Sequence, residues 1–148
     1  MVMSKVLFDT NILVYAHNVS SSFHKQARQL HEEVIFGKLG AVVAPQNLLE
    51  FYSNITNPNR IERAVSQSKA LEEVKNYLAS GFKLIFPRGD EMDITLSIIR
   101  DRSVLDRQIF DAYLVATMLS NGVNTVYTHN EKDFTIFKEI KVINPFKP

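Results

Sequence analysis

Four carboxylates are the residues whose types and placement could do chemistry: Asp9, Glu50, Asp111 and Asp133. Asp9 is the only side chain between Val6 and Phe23 certain to carry charge at neutral pH, and it follows the apolar run Val6-Leu7-Phe8. A turn or cap made with Thr10 and Asn11 would explain it without chemistry, since Asx side chains do this routinely. Asp111 is the only Asp, Glu, Lys or Arg from Gln108 to Asn130, inside Ile109-Phe110-Asp111-Ala112-Tyr113-Leu114-Val115-Ala116. A helix apolar on nearly every face is buried, and Leu114 and Val115 offer no salt bridge to the acid one turn before them. A carboxylate there must meet a cation, hydrogen-bond donors or a pocket, the structural alternative being a core ion pair with Arg102 or Arg107. Glu50 has Gln46, Asn47, Ser53 and Asn54 at helical spacing, a polar face without a basic partner. Asp133, in Asn130-Glu131-Lys132-Asp133, reads equally as an early acid favouring a helix N-terminus.

The chemistry depends on whether the fold gathers them. At ~5 Å and an effective dielectric of ~20, two like charges repel by about 3 kcal/mol, so such a cluster takes up protons or binds a cation. Oxygen donors without cysteine favour Mg²⁺ or Mn²⁺. A metal-independent phosphodiesterase would instead need a pair of histidines, and His17, His24 and His31 recur every seven residues. Two helical turns separate His24 from His31 by ~10 Å, too far to share a proton or a metal. These are expected on a solvated helix face.

The elements that must position the acids follow from periodicity and stop signals. Val6-Leu7-Phe8 and Ala41-Val42-Val43-Ala44 lack alternation and read as strands buried on both faces. Between them Ser20-Ser21-Ser22 offers N-caps, and Phe23, Ala27, Leu30 and Val34 recur at helical spacing up to Gly37. Pro45 opens a helix carrying Leu48, Leu49, Tyr52 and Ile55, closed by Asn57-Pro58-Asn59. Leu71, Val74 and Leu78 mark a helix ending at Gly81, before a strand over 82–86. Helices are expected at 91–100 and from about Asp106 to Asn121, with Gly122 as a stop. Thr125-Val126-Tyr127 reads as a strand, 131–138 as a short helix and Val142-Ile143 as a last strand. Strands alternating with helices imply an α/β fold with a parallel sheet, whose ligand crevice lies at the carboxyl ends of the strands. The ends at Phe8, Ala44 and Tyr127 would then collect Asp9, Glu50 and the 128–133 loop, with Asp111 joining if its helix packs across that edge.

Composition bounds the rest. A chain of 148 residues, 45% hydrophobic and 22% charged, reads as one domain, 1–148, able to bury roughly 70% of the surface its unfolded form exposes. It contains no cysteine, so disulfides and thiolate metal sites are excluded. No signal peptide is expected at the N-terminus and no apolar run approaches the ~20 residues of a membrane span, so a cytoplasmic location is the expectation. A net charge of +1 means that any nucleic-acid surface must be local. Arg60, Arg63 and Lys69 form one basic stretch; Arg100, Arg102 and Arg107 form another. No dinucleotide fingerprint, P-loop or G-x-S-x-G elbow is present.

Asp9-Thr10-Asn11 with Ile12-Leu13-Val14-Tyr15-Ala16, then Glu50, then Asp111-Ala112 with Ala116, then Thr128-His129-Asn130-Glu131-Lys132-Asp133-Phe134, resembles the ordered motifs of PIN-domain ribonucleases of the VapC toxin type. The similarity runs over essentially the whole chain. It implies a three-layer α/β/α domain, an Mg²⁺- or Mn²⁺-dependent endoribonuclease acting on single-stranded RNA or RNA loops, often a homodimer, and a protein antitoxin as partner. Carried over by position, Asp9, Glu50, Asp111 and Asp133 are the acidic metal-holding residues, with Thr128 and Asn130 steering the last acid or the water. Asn11, Arg60, Arg63 and Arg107 are expected to contact substrate. Two departures stand out: His129 takes the place of an Arg common in relatives, and the segment from Pro58 to Lys69 has no counterpart in compact members. An RNA-processing nuclease outside a toxin system, a small-molecule phosphohydrolase with the same acids, and a PIN-like binding module without activity are the competing readings.

Overall fold

The structure is a computed structural model and describes residues 4–148. Five strands, β1 (Lys5–Phe8), β2 (Gly40–Val43), β3 (Lys83–Leu84), β4 (Thr125–Tyr127) and β5 (Lys141–Ile143), form one sheet in the order β3-β2-β1-β4-β5. Every pairing is parallel, with Leu7 level with Val42 on one side and Val126 on the other. Among the described residues six helices accompany them: α1 (Thr10–His17), α2 (His24–Ile35), α3 (Pro45–Ile55), α4 (Gln67–Ala79), α5 (Glu91–Arg100) and α6 (Gln108–Ser120). None is long and apolar enough to cross a membrane.

Alternation along the central strands divides the interior into two cores, which makes the three layers. Val6, Phe8, Ala41 and Val43 face one way, onto Ile12, Leu13, Ala27, Val34, Phe51, Ile55 and Ala70 of α1 to α4. Leu7, Val42 and Val126 face the other way, onto Ile98 of α5 and Ala112, Val115, Ala116 and Met118 of α6. The unbroken apolar runs of β1 and β2 are therefore required, as neither face of these strands meets water.

Helix stops behave as the glycines suggest. Gly122 has φ +72 and closes α6, with Val123 N–H donating to Met118 O and Gly122 N–H to Leu119 O, the paired bonds of a Schellman motif. Gly81 acts differently: a Cβ there would stand 2.9 Å from the Val34 carbonyl, so it permits the end of α4 to touch α2.

Several elements differ from expectation. The segment 10–17 is a helix that periodicity does not disclose. Its apolar run Ile12-Leu13-Val14-Tyr15 suits a strand as well as a helix, and only Asp9 as N-cap decides. The serines before α2 do not cap it; Phe23 holds that position, while Ser21 Oγ accepts from Phe23 N–H one turn earlier. The strand over 82–86 shrinks to Lys83–Leu84, an edge strand cut short before Pro87. The helix over 131–138 is a single 3₁₀ turn, Glu131–Asp133. Phe134 and Phe137 are both buried three residues apart, a spacing that successive tight turns satisfy and that Phe137 N–H bonding to Phe134 O continues.

His31 corrects the expectation of a solvated histidine face. It is buried, with Nδ1 against Ala27 O at 2.8 Å, Nε2 against the Tyr77 hydroxyl at 2.8 Å, an edge contact to Phe8 and a tilted one to Phe82. Burial holds its pKa down at about 4. His17 belongs to α1, and His24 Nδ1 meets Tyr15 O at 2.9 Å, so the three rings share no common face.

Candidate active site: an acidic cleft at the strand ends

Asp9 stands at the carboxyl end of β1 and is also the N-cap of α1, with Oδ1 accepting from Thr10 N–H at 2.9 Å. Capping and chemistry are therefore compatible in this residue. Its other oxygen, Oδ2, accepts from the Thr128 hydroxyl at 2.8 Å and from Asn11 Nδ2 at 3.1 Å. Thr128 is fully buried at the end of β4; its Oγ1 also accepts from Asn130 N–H at 3.0 Å, and its own N–H donates to Ile143 O. Asn11 Oδ1 in turn accepts from His129 N–H at 3.1 Å. The two strand-end loops are thus stitched together around one carboxylate, and Thr128 grips the first acid instead of steering the last.

Glu50 reaches the cleft from α3, where its Oε2 accepts from the Thr10 hydroxyl at 2.8 Å and its Oε1 from Gln46 Nε2 at 3.1 Å. Behind it lies Asn47, fully buried, whose Oδ1 accepts from Ala44 N–H at 2.9 Å and whose Nδ2 points to the Thr10 hydroxyl at 3.4 Å. Thr10 and Asn47 were not singled out from the sequence. Their only signal is position: one at the first turn after a strand-end acid, the other at the first turn of a helix that follows β2.

Asp111 comes from the first turn of α6 and Asp133 from the end of the 3₁₀ turn, and both line the same cleft of about 380 Å³ with Asp9 and Glu50. The four acids do converge. None of them enters an ion pair among the described residues. Of the two alternative partners for Asp111, Arg102 binds Glu139 at 2.9 Å and donates to Ile98 O, and Arg107 is exposed and forms no ion pair among the described residues. Burial, then the charges of Asp133, Asp9 and Glu50, push the Asp111 pKa up to about 7. Asp9 is raised as well, by burial first, with Glu50 and Asp133 adding to it against the opposing hydrogen bonds from Thr128 and Thr10.

Asn11, Asn130, Tyr15, Asn54 and Arg60 also line the cleft. Arg60 Nη1 donates to Asn54 Oδ1 at 3.3 Å, and the segment that carries it is anchored by buried Ile61 and by Val65 N–H bonding to Ile55 O. Of the basic residues expected near substrate, only Arg60 reaches this cleft; Arg63 and Arg107 are exposed and line none of it. Lys69 and Arg100 are engaged with neighbouring acids. Tyr15 bridges the cleft to His129, its hydroxyl 2.6 Å from Nδ1, within a cluster that includes Phe23 and Phe146.

This arrangement sets four carboxylates against the single guanidinium of Arg60, with no ion pair among the described residues, and the acids offer oxygen donors. No three acids among the described residues already stand at a common chelating centre. Mg²⁺ and Mn²⁺ are bound through oxygen donors and are held by few carboxylates. The donor set fits such an ion.

Comparison with known proteins decides the family: the PIN domain model matches residues 6–141. The chain belongs to the PIN domain family. It is 26% identical over 149 residues to Ribonuclease VapC48 of Mycobacterium tuberculosis, covering 94% of this chain and 96% of that protein. Ribonuclease VapC24 of the same species is 27% identical over 137 residues, with 93% and 94% covered. Among solved structures, this PIN domain resembles M. tuberculosis VapC20, described as a sarcin–ricin loop cleaving toxin, at TM-score 0.65 and 14% identity over 92% of this chain and 98% of that one. VapBC2 from Rickettsia felis, solved bound to a promoter DNA fragment, aligns at TM-score 0.68 and 13% identity over 95% and 98%. A toxin–antitoxin complex from Klebsiella pneumoniae aligns at TM-score 0.61 and 20% identity over 97% and 99%. These likenesses establish the three-layer α/β/α fold of the PIN domain.

Proposed function

We propose that this PIN domain is an endoribonuclease that cleaves single-stranded RNA or RNA loops, using Asp9, Glu50, Asp111 and Asp133 to hold Mg²⁺ or Mn²⁺. The observation that carries this reading is the convergence of four carboxylates, none in an ion pair among the described residues, in one cleft at the strand ends. The ribonuclease names of the two curated relatives, which align along nearly the full chain, supply the substrate class. A divalent ion in such a site supplies a water of lowered pKa and neutralises charge on the phosphate oxygens.

The protein's part is positioning. Asp9 is fixed by Thr10, Asn11 and Thr128, so its carboxylate is presented without losing rotamer freedom on binding. Glu50 is held by Thr10 and Gln46, which sets its distance from Asp9 through a shared residue. Arg60, on the rim, is placed to receive a phosphate flanking the scissile bond. Asn130 shares the loop of Asp133 and aligns the approach of water or substrate at that acid. In-line attack of water would leave a 5′-phosphate and a 3′-hydroxyl.

The reading includes a protein antitoxin as partner and a homodimer in solution; the toxin–antitoxin complexes among the structural relatives support the partner. The test is cleavage of single-stranded RNA by purified protein with Mn²⁺ or Mg²⁺, beside EDTA and an Asp111→Asn preparation. Loss of cleavage in both controls is expected. Equal cleavage in all three reactions would sink the reading.

A further inference from the structure

At the other end of β1 from Asp9, Lys5, Lys83 and Arg88 line a cleft of about 330 Å³ with Ile85, Phe86 and Asn121. Lys5 precedes Asp9 by four residues on an extended strand, about 13 Å at the rise of a parallel strand, so the two clefts are separate. The register brings the lysines together. Lys5 is level with Gly40 and Lys83 with Val42, and β2 lies between their strands. By the alternation of strand side chains both lysines share the face of Leu7 and Val42. Gly40 stands between them without a side chain, and a Cβ there would lie 3.4 Å from Lys5 Cγ.

The neighbouring Lys83, then burial and like-charge repulsion, hold the Lys5 pKa below its usual value. None of Lys5, Lys83 and Arg88 enters an ion pair among the described residues. Met1, Val2 and Met3, which precede them, carry no carboxylate side chain. Beside the cations, Phe86 leaves 54% of its surface in solvent, while Asn121 Nδ2 donates to the Phe86 carbonyl at 2.8 Å and fixes its backbone. Uncompensated positive charge asks for an anion, and an exposed ring at its edge asks for a flat apolar surface. A nucleotide carries both, with phosphate for the cations and a base to stack on the ring.

We propose that this cleft binds a nucleoside phosphate, its phosphate on Lys5, Lys83 and Arg88 and its base against Phe86. The site stands independently of RNA cleavage at the acidic cleft. Its occupant is a free nucleotide or one nucleotide of an RNA strand, which share this chemistry.

The test is NMR titration of the ¹⁵N-labelled full chain in EDTA, so that cleavage is silent, with uridine 5′-monophosphate, uridine, inorganic phosphate and a short oligouridine. Uridine monophosphate is expected to shift the amides of Lys5, Lys83, Phe86 and Arg88 at millimolar or lower concentration, and uridine is expected not to. Lys5→Gln with Lys83→Gln weakens binding at least tenfold, and Arg88→Gln, in a loop outside the sheet, weakens it without touching the strands. Phe86→Ala lowers nucleotide affinity to that of inorganic phosphate. Oligouridine binding more tightly than the mononucleotide identifies a strand, and the double lysine variant then loses about 1.4 from the slope of log affinity against log salt, at about 0.7 per phosphate contact. Equal binding of the two identifies a free nucleotide. Uridine binding as well as its phosphate, unshifted amides at the four residues, or unchanged binding by the double variant each overturns the proposal.

Discussion

Replacing Asp111 by Asn is expected to stabilise the metal-free protein while removing its response to metal. The carboxyl is half-buried beside Asp133, Asp9 and Glu50, and its pKa stands at about 7 against 3.8 in an open chain. Between those two values the folded state holds the proton more often than the unfolded state does. Stability contributed by the protonated carboxyl is therefore full below pH 3.8 and lost as pH rises through 7. The difference corresponds to a ceiling of about 4 kcal/mol at pH 8, and screening by the solvent that reaches a half-exposed group brings it to about 2 kcal/mol. Asn cannot ionise, so in EDTA at pH 8 the variant should unfold roughly 4–8 °C higher than the parent, and near pH 4 the gap should close. Added Mg²⁺ should reverse the order. A free-ion concentration about a hundredfold above its Kd stabilises the parent by about 2.7 kcal/mol, more than its deficit of about 2 kcal/mol, and the variant should gain little. Scanning calorimetry at pH 4 and pH 8, with EDTA and with Mg²⁺, checks all of this. A variant no more stable than the parent at pH 8, or a gap that does not change with pH, would refute the argument that Asp111 sits in uncompensated charge.

His31 gives a pH dependence of opposite sign. Its folded pKa of about 4 lies below the usual 6.5, so the unfolded chain binds the proton first, and stability that is full above 6.5 falls as pH drops toward 4. At pH 5 the loss is about 2 kcal/mol, and urea midpoints compared with those of His31→Gln should isolate it; parallel pH profiles would count against it. Thr128→Val keeps the shape of a fully buried side chain and deprives Asp9, Asn11 and Asn130 of a partner. A cost of about 1–3 kcal/mol is expected, together with weaker Mn²⁺ binding by calorimetry; unchanged metal binding would remove Thr128 from the support of Asp9. Arg60→Gln should raise KM for RNA several-fold, whereas Arg63→Gln, away from the cleft, should not; equal effects would mean that the lining does not mark the substrate path.

Elements whose evidence is local were legible in the sequence. The buried strands at Val6–Phe8 and Ala41–Val43 follow from unbroken apolar runs, and α3, α5 and α6 follow from spacing and stop signals. What the sequence could not disclose depends on partners far along the chain. His31 looks like one of a regular polar series, yet Tyr77 and Phe82 arrive from α4 and the segment after it to enclose the ring. Glu50 lies on a polar helix face that is ordinarily solvated, and the Thr10 hydroxyl, forty positions earlier, is the distant donor that holds it in the cleft. Arg63 and Arg60 were equivalent by composition, and the turn anchored by Ile61 separates them.

The double duty of Asp9 shows why the site and the fold are hard to pull apart. As N-cap it satisfies a donor at the start of α1, a role worth about 1 kcal/mol that Asn could also fill. Asn at this position would keep the cap but present an amide where Thr128 and Asn11 now donate to Oδ2, so at least one donor would face a donor. The hydrogen-bond arrangement therefore demands an acceptor at both oxygens of residue 9, which a carboxylate supplies and an amide does not. That demand holds even though burial and the nearby acids raise its pKa. A fold needing only a helix cap would have no reason to aim two side-chain donors at one oxygen; a fold that must keep a carboxylate fixed and charged beside other carboxylates does.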